Sequence, residues 1–363
     1  MESPFGPVQV CPVPRTTGEA GAGPFLAVVR LVNERSRRLW GHSDFEESAA
    51  AQLAVMQPRN DGVRVILAPA GPDPAGAAVL ILPLADNTHL AWVDVMVDPG
   101  AEGRGLGSAL LRAAREHAAA QGRTVLEGET EHVLAPAGTA VLHPATGAGE
   151  VPADRSARFA AAAGFTLEQS DRISLLQAAE ADPEPVLERS LQNVQGRYEL
   201  VAWTGRAPEE VLEDYALLRR RMSTDAPMGD VDWEEEDWDA GRVRLSEATR
   251  AAAGYDVLCC AVRETATGKL AGHTVLEVSR ERPAAAMQDD TLVLREHRGH
   301  GLGILLKAAN LQRLRLQHPA VERVYTWNAE ENRHMLQINE ALGFRPVGWA
   351  GQWQRRLQNP QAG

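Results

Sequence analysis

Three glycines at alternate positions, in Arg298-Gly299-His300-Gly301-Leu302-Gly303, carry the strongest chemical signal in the sequence. Glycine lets a backbone take positive φ and pass close to a ligand. Successive peptide N–H groups in such a turn, followed by the positive end of a helix, suit an anion of the pyrophosphate type. The spacing is not that of a Walker A loop, because no Gly-Lys-Ser/Thr follows, nor that of the dinucleotide turn GxGxxG. Arg295, His297, Arg298, His300 and Lys307 surround the turn with cations. The arrangement occurs a second time, at Gly103, Gly105 and Gly107 with Arg104 among them. There Asp98 and Glu102 stand beside the turn, and a carboxylate repels a pyrophosphate.

Both turns need a strand before them and a helix after them, and the sequence supplies both. Val93–Val97 precedes the first turn and Thr291–Leu294 the second. One offset aligns Val97 with Val293 and Asp94 with Asp290, and each half later has a helical stretch ending in Gly-Phe, at Phe165 and at Phe344. Motifs in the same order in both halves indicate a duplicated domain. An acidic, proline-containing stretch from Ala178 to Arg197 reads as a linker. The expected domains are therefore 1–183 and 184–363. The second half reads as helices at Ala207–Met222, Leu245–Ala253, Leu302–Gln317 and Asn332–Leu342. Strands are expected at Val257–Glu264, Ala271–Val278, Thr291–Leu294, Arg323–Trp327 and near Gly348–Arg355. The helix after the second turn stops at His318-Pro319. The first half carries an extra Gly/Ala/Pro-rich segment, His132 to Pro152, that reads as a surface loop. The expected fold class is α/β, of the mixed α+β kind, with a twisted sheet flanked by helices in each half.

The pattern Arg/Gln-x-x-Gly-x-Gly/Ala after a strand resembles the coenzyme A signature of the GNAT superfamily of N-acyltransferases. Arg298, Gly301 and Gly303 match it, and Val97-Asp98-Pro99 resembles the family's usual strand end. The resemblance covers most of both halves and implies two GNAT-like domains in tandem, with acetyl-CoA as co-substrate and no metal. It implies a cofactor site at Leu292, Val293, Leu294, Arg298, Gly299, His300, Gly301, Leu302 and Gly303. It also implies a second possible site at Val97, Arg104, Gly105 and Gly107. Asn332 matches the family's Asn at the next helix start; it reads equally as an N-cap. Many relatives place a Tyr seven residues on as acid for the departing thiolate. Here that position is Asn339, and in the first half the two positions are Ala153 and Ala160. Glu102 stands where the family prefers Arg or Gln. On these grounds the C-terminal half is the expected catalyst and the N-terminal half the degenerate copy.

Acyl transfer to an amine needs a proton acceptor and donors for the oxyanion. The resemblance assigns the second task to a backbone N–H in Leu292–Leu294. Asp290, the aligned partner of Asp94, is the expected base, with Asp289 as alternative and Glu277 and Glu330 behind them. Strand alternation lets only one of the two aspartates face the cleft. The segment from Met222 to Asp239 is acidic and holds Trp233, Glu235 and Trp238. It suits a cationic amine by charge and cation–π attraction, and reads otherwise as a solvated acidic helix start.

The chain has 363 residues and a formal net charge of −12, which disfavours nucleic acid as a general partner. Its composition, 44% apolar and 24% charged, is that of a globular protein. Three cysteines without metal spacing, no apolar N-terminal run and no long apolar stretch lead us to expect a cytoplasmic protein, a pseudo-dimeric monomer or homodimer, that does not enter a membrane. The reaction these features suggest is acetyl transfer by direct attack of a primary amine, on a small cationic molecule or a Lys side chain. The alternative is an acyl-CoA-responsive tandem module without catalysis.

Overall fold

The structure, a computed structural model, describes residues 5–59, 61–225 and 227–357. The chain divides into two compact units. The N-terminal unit holds the described residues up to 169, with 230–232 and those from 351 onward; the C-terminal unit holds 170–229 and 233–350.

In the N-terminal unit β1 (Val8–Cys11) leads into α1 (Gly23–Trp40) and α2 (Ala49–Met56). Strands β2 (Gly62–Pro69), β3 (Gly76–Pro83) and β4 (Leu90–Val97) follow, antiparallel to one another. Helix α3 (Leu106–Ala120) crosses over to β5 (Val125–Val133), which is parallel to β4. The ribbon β6 (Val141–Leu142) and β7 (Val151–Pro152) and helix α4 (Arg155–Ala162) complete this stretch. One face of the sheet packs Phe25, Val28, Leu31 and Leu53 of α1 and α2 against Ile66, Ala77 and Met96. The other face receives α3 over Gly76, where a Cβ would meet Leu106 and the Met96 carbonyl at 2.9 Å. Only glycine lets the helix sit that close.

The C-terminal unit begins with β8 (Thr166–Gln177) from Ser170 on, followed by α5 (Glu184–Val194), β9 (Tyr198–Thr204), α6 (Leu212–Asp225) and α7 (Ala240–Ala252). Then come β10 (Tyr255–Glu264), β11 (Leu270–Ser279), β12 (Ala285–Val293), α8 (Leu302–Gln317), β13 (Arg323–Ala329), α9 (Arg333–Ala341) and β14 (Arg345–Arg356). Strands β9 to β12 are antiparallel neighbours, β12 and β13 are parallel, and β13 pairs antiparallel with β8. Residues from 351 of β14 take the corresponding place beside β5 in the N-terminal unit. The N-terminal unit is thus completed by residues from the far end of the sequence.

The first break between the two compact units falls at 169/170, beside the expected division at 183/184. Proline and acidic composition locate the covalent connection, whereas strand pairing decides where a strand folds. The supposed linker contains α5, with Pro185 in its first turn, where a missing N–H costs nothing. The expected strand at Thr291–Leu294 begins at Ala285, because Ala285–Gln288 pair with Arg323–Thr326 despite weak intrinsic β preference. The helix expected at Leu245–Ala253 starts at Ala240, capped by Asp239. The expected loop from His132 begins inside β5 with a side chain 1% exposed, and includes the β6–β7 ribbon. Among the described residues no helix is long and apolar enough to cross a membrane.

Strand β8 is tied into the C-terminal unit by Arg172, which donates to both oxygens of Glu330 at 2.8 and 2.6 Å and to Glu340 at 2.8 Å. Arg172 and Glu330 are nearly buried, so removing one strands the other's charge. Arg172→Leu should cost about 2–4 kcal/mol in denaturant unfolding. Arg172→Leu with Glu330→Leu should cost less than the single change, because no buried charge is left alone. Equal losses in the single and double variants would exclude this account.

Candidate active site

The N-terminal unit opens where β4 and β5 separate. Their parallel pairing covers Leu90–Trp92 against Val125–Glu127. At Gly128 a Cβ would lie 3.0 Å from the Val93 carbonyl, so the strands part at a close backbone approach. Beyond it lies a cleft of about 880 Å³, walled by α1, β4, the glycine turn, β5 and α4. That volume is in the range of small-molecule and cofactor sites. Gly103 and Gly105 hold φ of 73° and 86°, and Gly105 is the left-handed N-cap of α3. Peptide N–H groups at the start of α3 therefore border the cleft, with the helix dipole behind them.

The carboxylate that counted against this turn is neutralised by tertiary contacts. Glu102 pairs with Arg38 at 3.1 Å and with Arg155 at 3.0 Å. Two exposed guanidiniums thus flank the turn, and Arg104 lies over the Phe5 ring at 4.9 Å. On the α1 side of the cleft Asp94 is bound by both nitrogens of Arg35 at 2.6 and 2.9 Å. Glu131 accepts from Trp40 Nε1 at 3.1 Å. Burial pushes the Glu131 carboxyl up, while the Trp40 hydrogen bond and Arg35 pull it back. Glu129 and Glu131 alternate along β5 with Thr130 and His132, so the two pairs face opposite sides of the sheet. Thr130, His132 and Asp154 form one hydrogen-bonded chain on the α4 side. None of Glu131, Trp40, Thr130, His132 and Asp154 was marked by a motif. The sequence signal for the β5 members is a run of polar residues from Glu127 to His132, broken only by Gly128.

In the C-terminal unit the turn has the same backbone, with φ of 80° at Gly299 and 72° at Gly301, the N-cap of α8 ahead of Leu302. Its cations are engaged: Arg295 and Arg298 both bind Asp225, at 3.0 and 2.9 Å. His297 meets the Tyr198 hydroxyl at 3.0 Å, and His300 lies 3.2 Å from the His297 carbonyl. A Cβ at Gly303 would lie 3.0 Å from Ile338 of α9, whereas one at Gly107 would lie 3.6 Å from Phe159 of α4. The following helix is packed more tightly here. Leu292 and Leu294 are core residues, Val293 pairs with Gly272, and the Leu294 N–H is already given to the Ala271 carbonyl. That N–H is not free for an oxyanion.

The remaining expected residues are also engaged. Asp290 pairs with Arg219 at 2.9 Å, and Asp289 reaches the same guanidinium at 3.8 Å. Strand alternation fails for the two because β12 bulges there, setting both opposite Val275 alone. Burial, then the neighbouring Asp289 charge, pushes Glu277 up to about 7. Glu330 is held by Arg172. Asn332 caps α9 through the Met335 N–H. Asn339 is 1% exposed, accepting from Lys307 at 2.8 Å and donating to Asn328 at 2.6 Å. Two guanidiniums, Arg219 and Arg242, occupy the Trp238 ring at 4.5 and 4.7 Å. Glu235 pairs with Arg221, and Trp233 is half-buried. The aromatic and acidic segment is therefore satisfied by the chain's own arginines, which short-range sequence reading cannot see.

Comparison with known proteins bears on both units. Residues 25–137 match the family model described as the acetyltransferase (GNAT) family. Across 96% of its length the chain is similar to a tandem GNAT protein from the clavulanic acid biosynthesis pathway, with 27% identity, 98% of that chain covered and a TM-score of 0.73. A GCN5-related N-acetyltransferase from Sphaerobacter thermophilus shares the fold at 13% identity and TM-score 0.59, over 98% of this chain and 97% of that one. So does a GCN5-related glucosamine N-acetyltransferase region in a fungal multi-domain GH3 β-N-acetylglucosaminidase, at 13% identity and TM-score 0.61, over 96% of this chain and 38% of that one. No curated protein sequence matches the chain.

Lys307 gives the C-terminal unit a measurable signature. It is 1% exposed, and burial pushes its ammonium down to about 7. Between that value and the ordinary lysine range near about 10.4, the unfolded chain holds a proton that the folded chain has released. Stability should therefore rise with pH across this window. Relative to Lys307→Met, the wild type should gain roughly 1 kcal/mol per pH unit from pH 7 to 9.5 in denaturant unfolding. A constant difference across that range would show that Lys307 titrates normally.

Proposed function

We propose that this chain, which carries a GNAT acetyltransferase domain at residues 25–137 and the tandem GNAT fold across its length, transfers acetyl from acetyl-CoA to a primary amine at the N-terminal cleft. The observation that carries this reading is the 880 Å³ opening between β4 and β5 beside the glycine turn. The pyrophosphate would lie against the amides at Gly103–Gly107, with Arg38, Arg104 and Arg155 near its charge. Backbone N–H groups of β4 beyond the last β5 pair would receive the thioester carbonyl. The amine would enter from the α1 side and attack the acetyl carbon directly.

Charge favours a cationic acceptor. On the α1 side the cleft presents Glu34, Asp94, Glu129 and Glu131 against Arg35 and Arg38. Such a surface attracts an ammonium and disfavours an anionic acceptor. Asp94 is committed to Arg35, so Glu131 is the better proton acceptor, since burial already raises its affinity for a proton. A small cationic amine suits the enclosed cleft; a Lys side chain is the runner-up. For the C-terminal turn, which keeps the left-handed glycines, we propose weaker binding of the same cofactor, since Gly303 there packs more closely on Ile338 than Gly107 does on Phe159.

Acetyl-CoA should raise the melting temperature by mass action, and Gly105→Glu should remove most of the shift because its side chain would project where the pyrophosphate passes. Gly301→Glu should leave most of it. The reverse ranking of the two variants would move the site to the C-terminal unit. No shift in the wild type would end the acyl-CoA reading altogether.

Release of CoA thiol with a panel of amines, spermidine, lysine and an aminoglycoside among them, separates an enzyme from a binding module. With the best acceptor, Glu131→Gln should lower kcat by about 10²–10⁴ while acetyl-CoA affinity is kept. Wild-type turnover in that variant would remove Glu131 as base.

A further inference from the structure

The α4 side of the cleft holds a hydroxyl, an imidazole and a carboxylate in line. Thr130 Oγ1 lies 2.7 Å from His132 Nε2, and His132 Nδ1 lies 2.7 Å from Asp154 Oδ2. Trp353 Nε1 donates to Thr130 Oγ1 at 2.8 Å. His132 is 1% exposed, whereas Thr130 and Asp154 both border the cleft. The carboxylate is fixed independently, because Asp154 caps α4 by accepting from the Ala157 N–H at 3.1 Å. The hydrogen bond and charge of His132, with the backbone amides of Ala157 and Ser156, outweigh burial and hold the Asp154 carboxyl below its ordinary range. Asp154 therefore stays an anion against the ring.

Counting hydrogens gives the chain a direction. A threonine hydroxyl has one hydrogen and two lone pairs, and Trp353 occupies one lone pair. With neutral His132 carrying its proton on Nδ1 toward Asp154, the hydroxyl hydrogen points at Nε2. With protonated His132, Nε2–H occupies the second lone pair, and the hydroxyl hydrogen turns toward the cleft. A proton placed on the buried ring is thus presented at the cleft wall as the Thr130 O–H. Glu131, the next titratable group to His132 on β5, faces the α1 side and acts on it only through its charge.

We propose that Thr130 is the proton donor to the departing CoA sulfur, with His132 and Asp154 as positioning residues that recharge it. This rests on acetyl-CoA binding in the N-terminal cleft. In the step, the amine nitrogen bonds to the acetyl carbon and gives a proton to Glu131. The C–S bond breaks, its electron pair stays on sulfur, and sulfur takes the Thr130 hydroxyl hydrogen. Thr130 Oγ1 then takes the proton from His132 Nε2, leaving a neutral ring hydrogen-bonded to Asp154. Water removes the proton from Glu131 and restores that on His132, so protons balance over a turnover.

The test uses the full chain, acetyl-CoA and the best acceptor of the amine panel. Thr130→Val keeps the volume and removes the hydroxyl; melting without ligand checks its fold. It should lower kcat by about 10²–10⁴ with the calorimetric Kd for acetyl-CoA changed by no more than about twofold. Thr130→Ser should recover kcat to within about tenfold of wild type, and His132→Gln should resemble Thr130→Val. A Thr130→Val variant with kcat within about threefold of wild type would overturn the relay. So would an acetylated Thr130 peptide after incubation with acetyl-CoA alone, since Thr130 would then be a nucleophile. A wild type that does not bind acetyl-CoA, or binds it and releases no thiol to any amine or to water, would overturn the relay together with the proposed function.

Discussion

The structure of the N-terminal site depends on two parallel strands that pair for three residues and then part. Leu90–Trp92 and Val125–Glu127 share a ladder; past Gly128 each strand leaves a side of its backbone to whatever enters between them. A parallel pair needs a crossover, and α3 provides it, so its N-terminus falls at the end of β4 where the cleft begins. The glycine turn, the helix dipole and the gap between strands are thus consequences of one connection. The alternation of β5 then gives the gap two chemically different walls, Glu129 and Glu131 toward α1, Thr130 and His132 toward α4.

The same backbone turn acquires its electrostatics in each unit through residues distant in sequence. Near the first turn the nearest charge in the chain is Glu102, yet Arg38 from α1 and Arg155 from α4 compensate it. Near the second turn the nearest charges are cationic, yet Asp225 from the end of α6 takes both arginines. In the folded chain each turn therefore has one carboxylate held by two guanidiniums, a balance that local charge in the sequence does not show. Coulomb energies fall off with distance through space and not along the chain, and a motif window sees only the latter.

What was legible followed from periodicity and repetition. The paired glycine turns, the strand before and helix after each, and the Gly-Phe helices lie in the structure where their spacing put them. The long-range strand pairings were not legible: Thr166–Gln177 is an ordinary strand sequence, and its partner β13 lies more than a hundred residues on. The cleft chain was hidden for the same reason. His132 and Asp154 are separated by a ribbon that reads as a loop, and Trp353 comes from the far end of the chain. A bulge in β12 defeated the one inference drawn from alternation, since one extra residue brings both Asp289 and Asp290 to Arg219.

Duplication also explains why the C-terminal unit spends its polar residues inward. Lys307, Asn339 and Asn328 form a buried chain, and Gln288 donates to the Thr274 hydroxyl and the Val275 carbonyl beside it. Polar groups in such a place are costly unless each finds a partner. They are nearly neutral once paired with one another, and that pairing holds the elements around the glycine turn together without a ligand. In the N-terminal unit the corresponding gap is lined by carboxylates and a hydroxyl that face open volume. The carboxylates are held by the chain itself, Asp94 by Arg35, Glu129 by Gln352 and Glu131 by Trp40, so the two copies of one fold differ chiefly in whether such paired groups lie inside the packing or border an open cleft.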